Sequence, residues 1–264
     1  MLDSFWLWPF LSGLGAAVLL GLAGASLFIR SASLQGLVIA QGAAAGGILA
    51  TALTLPILPV AFLLAGASYW WVQYAVRLKP ERILLIFLLG GALINALLAN
   101  TTHLHTSADR WLAGDIYYVG RGDAFWLLTL SGLTLVLIPV LRNVWQKSQL
   151  APDCFGPPLT VLQRLPEALW LLCVVVLSSY LLGLPASLFL LLFPAWLSAY
   201  WSRGLSPFLW WSIFLSVLLF LLAWFTALWF DQPFAPVLIL GGCVCFLLVY
   251  AAYRLTTLVR ACFR

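Results

Sequence analysis

Few residues in this chain have side chains that bind metals strongly, and they are unevenly placed. The only two histidines, His103 and His105, fall in one polar stretch, Asn100–Asp123, together with Asp109, Asp115 and Asp123. Imidazole and carboxylate ligands suit borderline divalent ions such as zinc and ferrous iron. The same stretch also suits the docking of a soluble partner. Asp231 interrupts a long apolar region and joins His103 and His105 as a candidate metal ligand. The plainer reading is that the histidines are exposed loop residues and that Asp231 ends a helix. Cys243-Val244-Cys245 has the look of a soft-metal pair. Residues two apart on a helix point away from each other, so packing explains it better. A phosphate-cradling loop needs Gly-Lys-Ser/Thr, and neither Lys79 nor Lys147 follows a glycine. The chain is therefore expected to be no enzyme in its own right and to hold no nucleotide or other cofactor.

The elements that must position these residues are set by the scarcity of charge. Apolar residues make up 64% of the 264 and charged residues only 8%, against about a quarter charged in soluble domains. No Asp, Glu, Lys or Arg occurs between Ser31 and Val76, Ala168 and Ser202, Gly204 and Phe230, or Gln232 and Tyr253. About 20 apolar residues cross a bilayer as a helix, and helices satisfy every backbone group where lipid offers no partner. An all-α, polytopic membrane bundle follows. Breakers divide it into nine apolar segments: Phe5–Phe28, Leu34–Leu55, Ile57–Val76, Ile83–Leu98, Ala124–Leu141, Leu169–Leu182, Ala186–Tyr200, Leu209–Phe230 and Ala235–Tyr253. The sixth and seventh are short and flank Gly183-Leu184-Pro185, as tilted half-length helices would, so the expected count is eight or nine.

With the N-terminus outside, Arg30, Arg77, Lys79, Arg82, Arg142, Lys147, Arg164, Arg203, Arg254, Arg260 and Arg264 fall inside, leaving Arg110 and Arg121 outside. That asymmetry obeys the positive-inside rule, so the net charge of +5 reflects topology and not nucleic-acid binding. The start, Met1-Leu2-Asp3-Ser4, lacks the basic region of a cleavable signal, so the first segment is expected to remain as a helix. Cys154 and Cys262 lie on the inner side, and no disulfide is expected. Gly13, Ala17, Gly21 and Ala25 recur at four-residue spacing, as do Gly42, Gly46 and Ala50; such ladders let helix backbones approach closely. Aromatic pairs such as Trp70-Trp71 and Trp210-Trp211 mark interfacial belts.

The apolar segments hold no ionisable side chain, which argues against a proton-coupled carrier, a membrane protease with buried carboxylates or a haem protein with helix-borne histidines. Two connections are longer than a simple bundle needs: Asn100–Asp123 outside and Arg142–Glu167 inside.

Four motifs, in order along the chain, add a resemblance. Arg30-Ser31-Ala32-Ser33-Leu34-Gln35-Gly36, Trp111-Leu112-Ala113-Gly114-Asp115, Leu192-Phe193-Pro194-Ala195 and Asp231-Gln232-Pro233-Phe234-Ala235-Pro236 resemble segments of the zinc/manganese class of ABC importer permeases. The resemblance implies one permease domain over residues 1–264 and a dimer of permeases in a bacterial inner membrane. It also implies a separate ATP-binding subunit and an extracytoplasmic protein that delivers zinc, manganese or ferrous iron. The inner connection around Asp153, Gly156 and Arg164 then becomes the ATPase-coupling segment; otherwise it is a solvated linker.

One departure bears on the cargo. At the start of its second helix the family carries an aspartate and a histidine four residues apart, and here those positions are Leu37 and Gln41. They are the candidate translocation-pathway residues, though Gln41 also suits an interhelical hydrogen bond. A bare ion, a metal chelate or siderophore-derived iron remain open as cargo, and a non-transporting membrane scaffold would share the composition.

Overall fold

A computed structural model describes residues 3–74, 80–100, 109, 111, 112, 114, 116–145 and 161–247. Among these residues the chain is entirely helical. Its helices are α1 (Asp3–Ile29), α2 (Ser33–Ala52), α3 (Ile57–Tyr74), α4 (Pro80–Asn100), α5 (Arg121–Trp145), α6 (Val161–Leu182), α7 (Leu184–Trp201), α8 (Leu205–Phe230) and α9 (Phe234–Leu247). A single 3-10 turn, Ile116–Tyr118, precedes α5. Five helices (α1, α2, α6, α7 and α8) contain stretches long and apolar enough to cross a membrane, and shorter apolar stretches lie in α3, α4 and α9. The chain is a multi-pass helical membrane protein.

The breakers act where the sequence places them. Ser31 and Thr54 take positive φ between α1 and α2 and between α2 and α3. Gly183 (φ 82°) separates α6 from α7, and Pro185 starts the latter, a position where its missing N–H costs nothing. Asp231 closes α8 in the left-handed conformation, its backbone N–H donating to the Ala227 carbonyl. Pro233 follows, as is common beyond such a cap.

Two expectations need correction. The sixth and seventh segments are not half-length: α6 has 22 residues and α7 has 18, about 33 and 27 Å at 1.5 Å per residue. The inner connection is correspondingly shorter, because α5 continues to Trp145 and α6 begins at Val161. Arg164 therefore lies within a helix, not on a loop. Charge concealed this turn. Glu167 is buried and ion-paired with Arg30 at the end of α1, so a helix carrying a carboxylate still packs into the bundle wall.

The core is organised by α1 and α2, the two most enclosed spans. Helix α1 packs on α8, α7, α5 and α6, while α2 packs on α3, α4 and α6. The small-residue ladders make these contacts. A methyl group at Gly21 would lie 2.9 Å from Ser216 Cβ and 3.0 Å from Ile213 Cα of α8, and one at Gly24 would run into the Leu191 carbonyl of α7. On α2, a methyl at Gly46 would lie 2.8 Å from Ala61 Cα of α3. Backbones this close gain dispersion contacts and cross-helix hydrogen bonds, which drive association in lipid. The ladders are thus packing surfaces.

Candidate functional site

Where α2, α3 and α4 meet, the bundle leaves a cavity of about 250 Å³. Its walls are mainly apolar, with Val38 and Ala45 from α2, Leu64 from α3, and Ile86 and Leu93 from α4. Trp71, largely exposed, stands at its rim. Two side chains bring polarity to the lining. Ser68 donates its hydroxyl to the Leu64 carbonyl at 2.8 Å, a bond internal to α3. Gln41 is 9% exposed and lines the cavity, and its amide has no hydrogen-bond partner among the described residues.

Helix α4 admits this amide because it presents glycines. A Cβ at Gly90 would lie 2.8 Å from Gln41 Cγ, and one at Gly91 would lie 3.1 Å from Gln41 Nε2. The opposite wall is equally bare, since Gly42 faces Ser68. Six residues before Gln41, a second glutamine shows how this helix deals with an amide that serves structure. Gln35, 8% exposed, accepts from Gln73 Nε2 at 3.2 Å, and the same nitrogen lies 3.1 Å from the Tyr69 hydroxyl. Gln41 differs from Gln35, because its amide opens onto the cavity and takes no protein partner among the described residues.

The other expected site residues are dispersed. Leu37, one turn before Gln41, is half-buried but does not line the cavity. Asp231 is exposed at the cap of α8. Among the described residues no three His, Cys, Asp or Glu side chains cluster as metal ligands would. His103, His105, Asp153 and Gly156 lie outside the described residues. Cys173, Cys243 and Cys245 are free thiols.

Some residues were recognised in the sequence without their burial being foreseen, and others were not recognised at all. Trp111, expected on an outer docking face, is 1% exposed. It abuts Gly47 of α2 and packs on Tyr180 of α6 with ring centroids 5.4 Å apart. Gly114 (φ 74°) sits against the backbone of Leu182 and Gly183, at the α6–α7 break. Ile116 and Val119 are also buried. Part of the outer connection is therefore a plug set into the bundle. Flanking charges made it read as a solvated loop. The Gly90-Gly91 pair was hidden inside an apolar run.

No protein-family model matches the chain, and no curated protein matches it significantly. Solved structures do. PsaBC from Streptococcus pneumoniae, determined in complex with Fab, superposes with a TM-score of 0.78 at 19% identity, covering 92% of this chain and 90% of that one. A protein described as a metal-chelate type ABC transporter, in an inward-facing conformation, superposes with a TM-score of 0.69 at 19% identity, covering 92% of this chain and 86% of that one. At this identity the likeness establishes a shared fold.

Proposed function

We propose that the chain is the transmembrane permease subunit of an ATP-driven importer whose cargo contains a transition metal. The observation that carries this reading is the shared fold over 92% of the chain, combined with a cavity lined by Gln41, one of the two α2 positions where the resembling family carries its metal ligands. A separate ATP-binding subunit supplies the energy, an extracytoplasmic binding protein delivers the cargo, and two permease copies complete the pathway in the inner membrane. Asp231, His103 and His105 belong to the outer mouth. Asp153, Gly156 and Arg164 belong to the inner face that meets the ATPase, and Leu37 and Gln41 to the pathway helix.

The cavity favours a metal chelate as cargo over a stripped ion. Moving even a singly charged ion from water to a medium of dielectric constant 4 costs on the order of 20 kcal/mol, and a hydrogen bond or dipole contact from one amide returns about 1.5–3 kcal/mol. A chelated metal brings its own ligands and meets these walls with an organic surface. Zinc, manganese and ferrous iron are all compatible with such a carrier.

Co-expression of the chain together with its neighbouring genes tests the assignment. The purified chain should retain the ATP-binding subunit, and Arg164→Glu should lower transport-coupled ATP hydrolysis several-fold while the permease stays folded. A chain that retains no ATPase under these conditions contradicts the proposal.

A further inference from the structure

We propose that the cavity between α2, α3 and α4 is a binding site for a metal held in an uncharged organic complex, with Gln41 as its specificity-determining residue. This deepens the permease reading and rests on it. The amide offers both a donor and an acceptor; it is 9% exposed and partnerless among the described residues, and it lines a cavity of about 250 Å³. The amide is not sealed inside the bundle: its polar atoms open onto the cavity, where an occupant can pair them. Ser68 does not, because its hydrogen is given to the Leu64 carbonyl. The Gln35–Gln73 bond shows that the same helix satisfies an amide where only structure is at stake.

The chemistry of the occupant follows from the walls. Val38, Leu64, Ile86 and Leu93 supply apolar surface, and the described lining holds no carboxylate, imidazole or thiolate. An ion needing direct protein ligands finds none. A neutral complex with an oxygen- or nitrogen-bearing rim meets apolar walls and one two-way amide. Gly90 and Gly91 set where that amide can sit, since a methyl at either presses on the Gln41 side chain.

The test uses the full-length chain in lipid nanodiscs and equilibrium dialysis of radiolabelled zinc. The metal is supplied either as neutral bis(maltolato)zinc or as zinc chloride, with metal-free maltol as competitor. The wild-type chain should hold zinc from the complex at least ten-fold more tightly than from the chloride. Gln41→Leu should weaken binding of the complex about ten-fold. Gln41→Glu should reverse the preference towards zinc chloride, a gain that a misfolded chain would not show. Gln41→Met replaces the leucine variant if the latter unfolds. Equal or tighter binding from zinc chloride by the wild type, no saturable binding of the complex, or a Gln41→Leu chain that binds unchanged would each overturn the inference. ATP-driven uptake by the full complex is read separately: uptake without chelate binding rejects this site alone, and binding without uptake rejects the permease reading.

Discussion

The α1–α8 seam and the α2–α4 cavity are built from the same materials and end differently. Both set small residues of one helix against serine or glutamine of another. At the seam, Ser212 and Ser216 of α8 donate to the carbonyls of Gly21 and Ala17 of α1, each at 2.7 Å, and no polar group there is left over. In the cavity, glycines of α2 and α4 open space around Gln41, and its amide is left without a protein partner. Small residues alone therefore do not mark a site. What distinguishes the two regions is whether the polar group that enters the gap finds a backbone carbonyl on the other side. Where it does, the gap closes into packing; where it does not, room and hydrogen-bonding capacity remain for a ligand.

Mutations should separate the regions by size of effect. The largest should come from the sealed side, where α1 meets α6. Glu167→Ala leaves the partly buried Arg30 without this carboxylate, and since breaking a fully buried pair costs about 3–5 kcal/mol, the loss should fall at the lower end of that range. Thermal unfolding should show that loss, and Arg30→Met with Glu167→Leu should recover most of it. Gly21→Val comes next. It forces a branched side chain into backbone and Cβ atoms of α8, an overpacking worth about 1–3 kcal/mol. Gly91→Ala presses only on the end of a flexible glutamine and should cost under about 1 kcal/mol, within the range of tolerated core changes.

The smallest stability effects provide the sharpest comparison. Ser216→Ala removes one cross-helix hydrogen bond and should destabilise by about 0.6 kcal/mol, the average in a membrane bundle. Gln41→Leu should be nearly neutral, because it deletes an amide that opens onto the cavity and makes no protein hydrogen bond among the described residues. If Gln41→Leu destabilises the chain as much as Glu167→Ala does, the amide serves structure and the contrast between the regions collapses.

The bundle was legible in the sequence because charge scarcity and apolar run length are one-dimensional properties. Over the described residues, eight of the nine expected segments coincide with helices, whereas α6 begins earlier because Arg164 and Glu167 look like loop residues until Arg30 pairs with the latter. Gln41 was singled out only through the family resemblance, as the position of its histidine, and it lines the cavity. Leu37 was not separable from it, since residues four apart share nearly one face of a helix, and only their level along α2 puts Gln41 in the lining and Leu37 beyond it. Trp111 was hidden for another reason: its burial depends on Gly47 and Tyr180, which lie 64 positions before it and 69 after it. Contacts at that separation leave no trace in local pattern.

The central claim is that this chain carries metal-containing cargo through the α2–α4 region when a partner hydrolyses ATP. Proteoliposomes holding the permease, its ATP-binding subunit and its binding protein test it directly, by metal uptake with ATP and with a non-hydrolysable analogue. Uptake should occur only with hydrolysable ATP, reduced about ten-fold by Gln41→Leu at unchanged assembly. Uptake indifferent to ATP, or no uptake by a fully assembled complex, would contradict it.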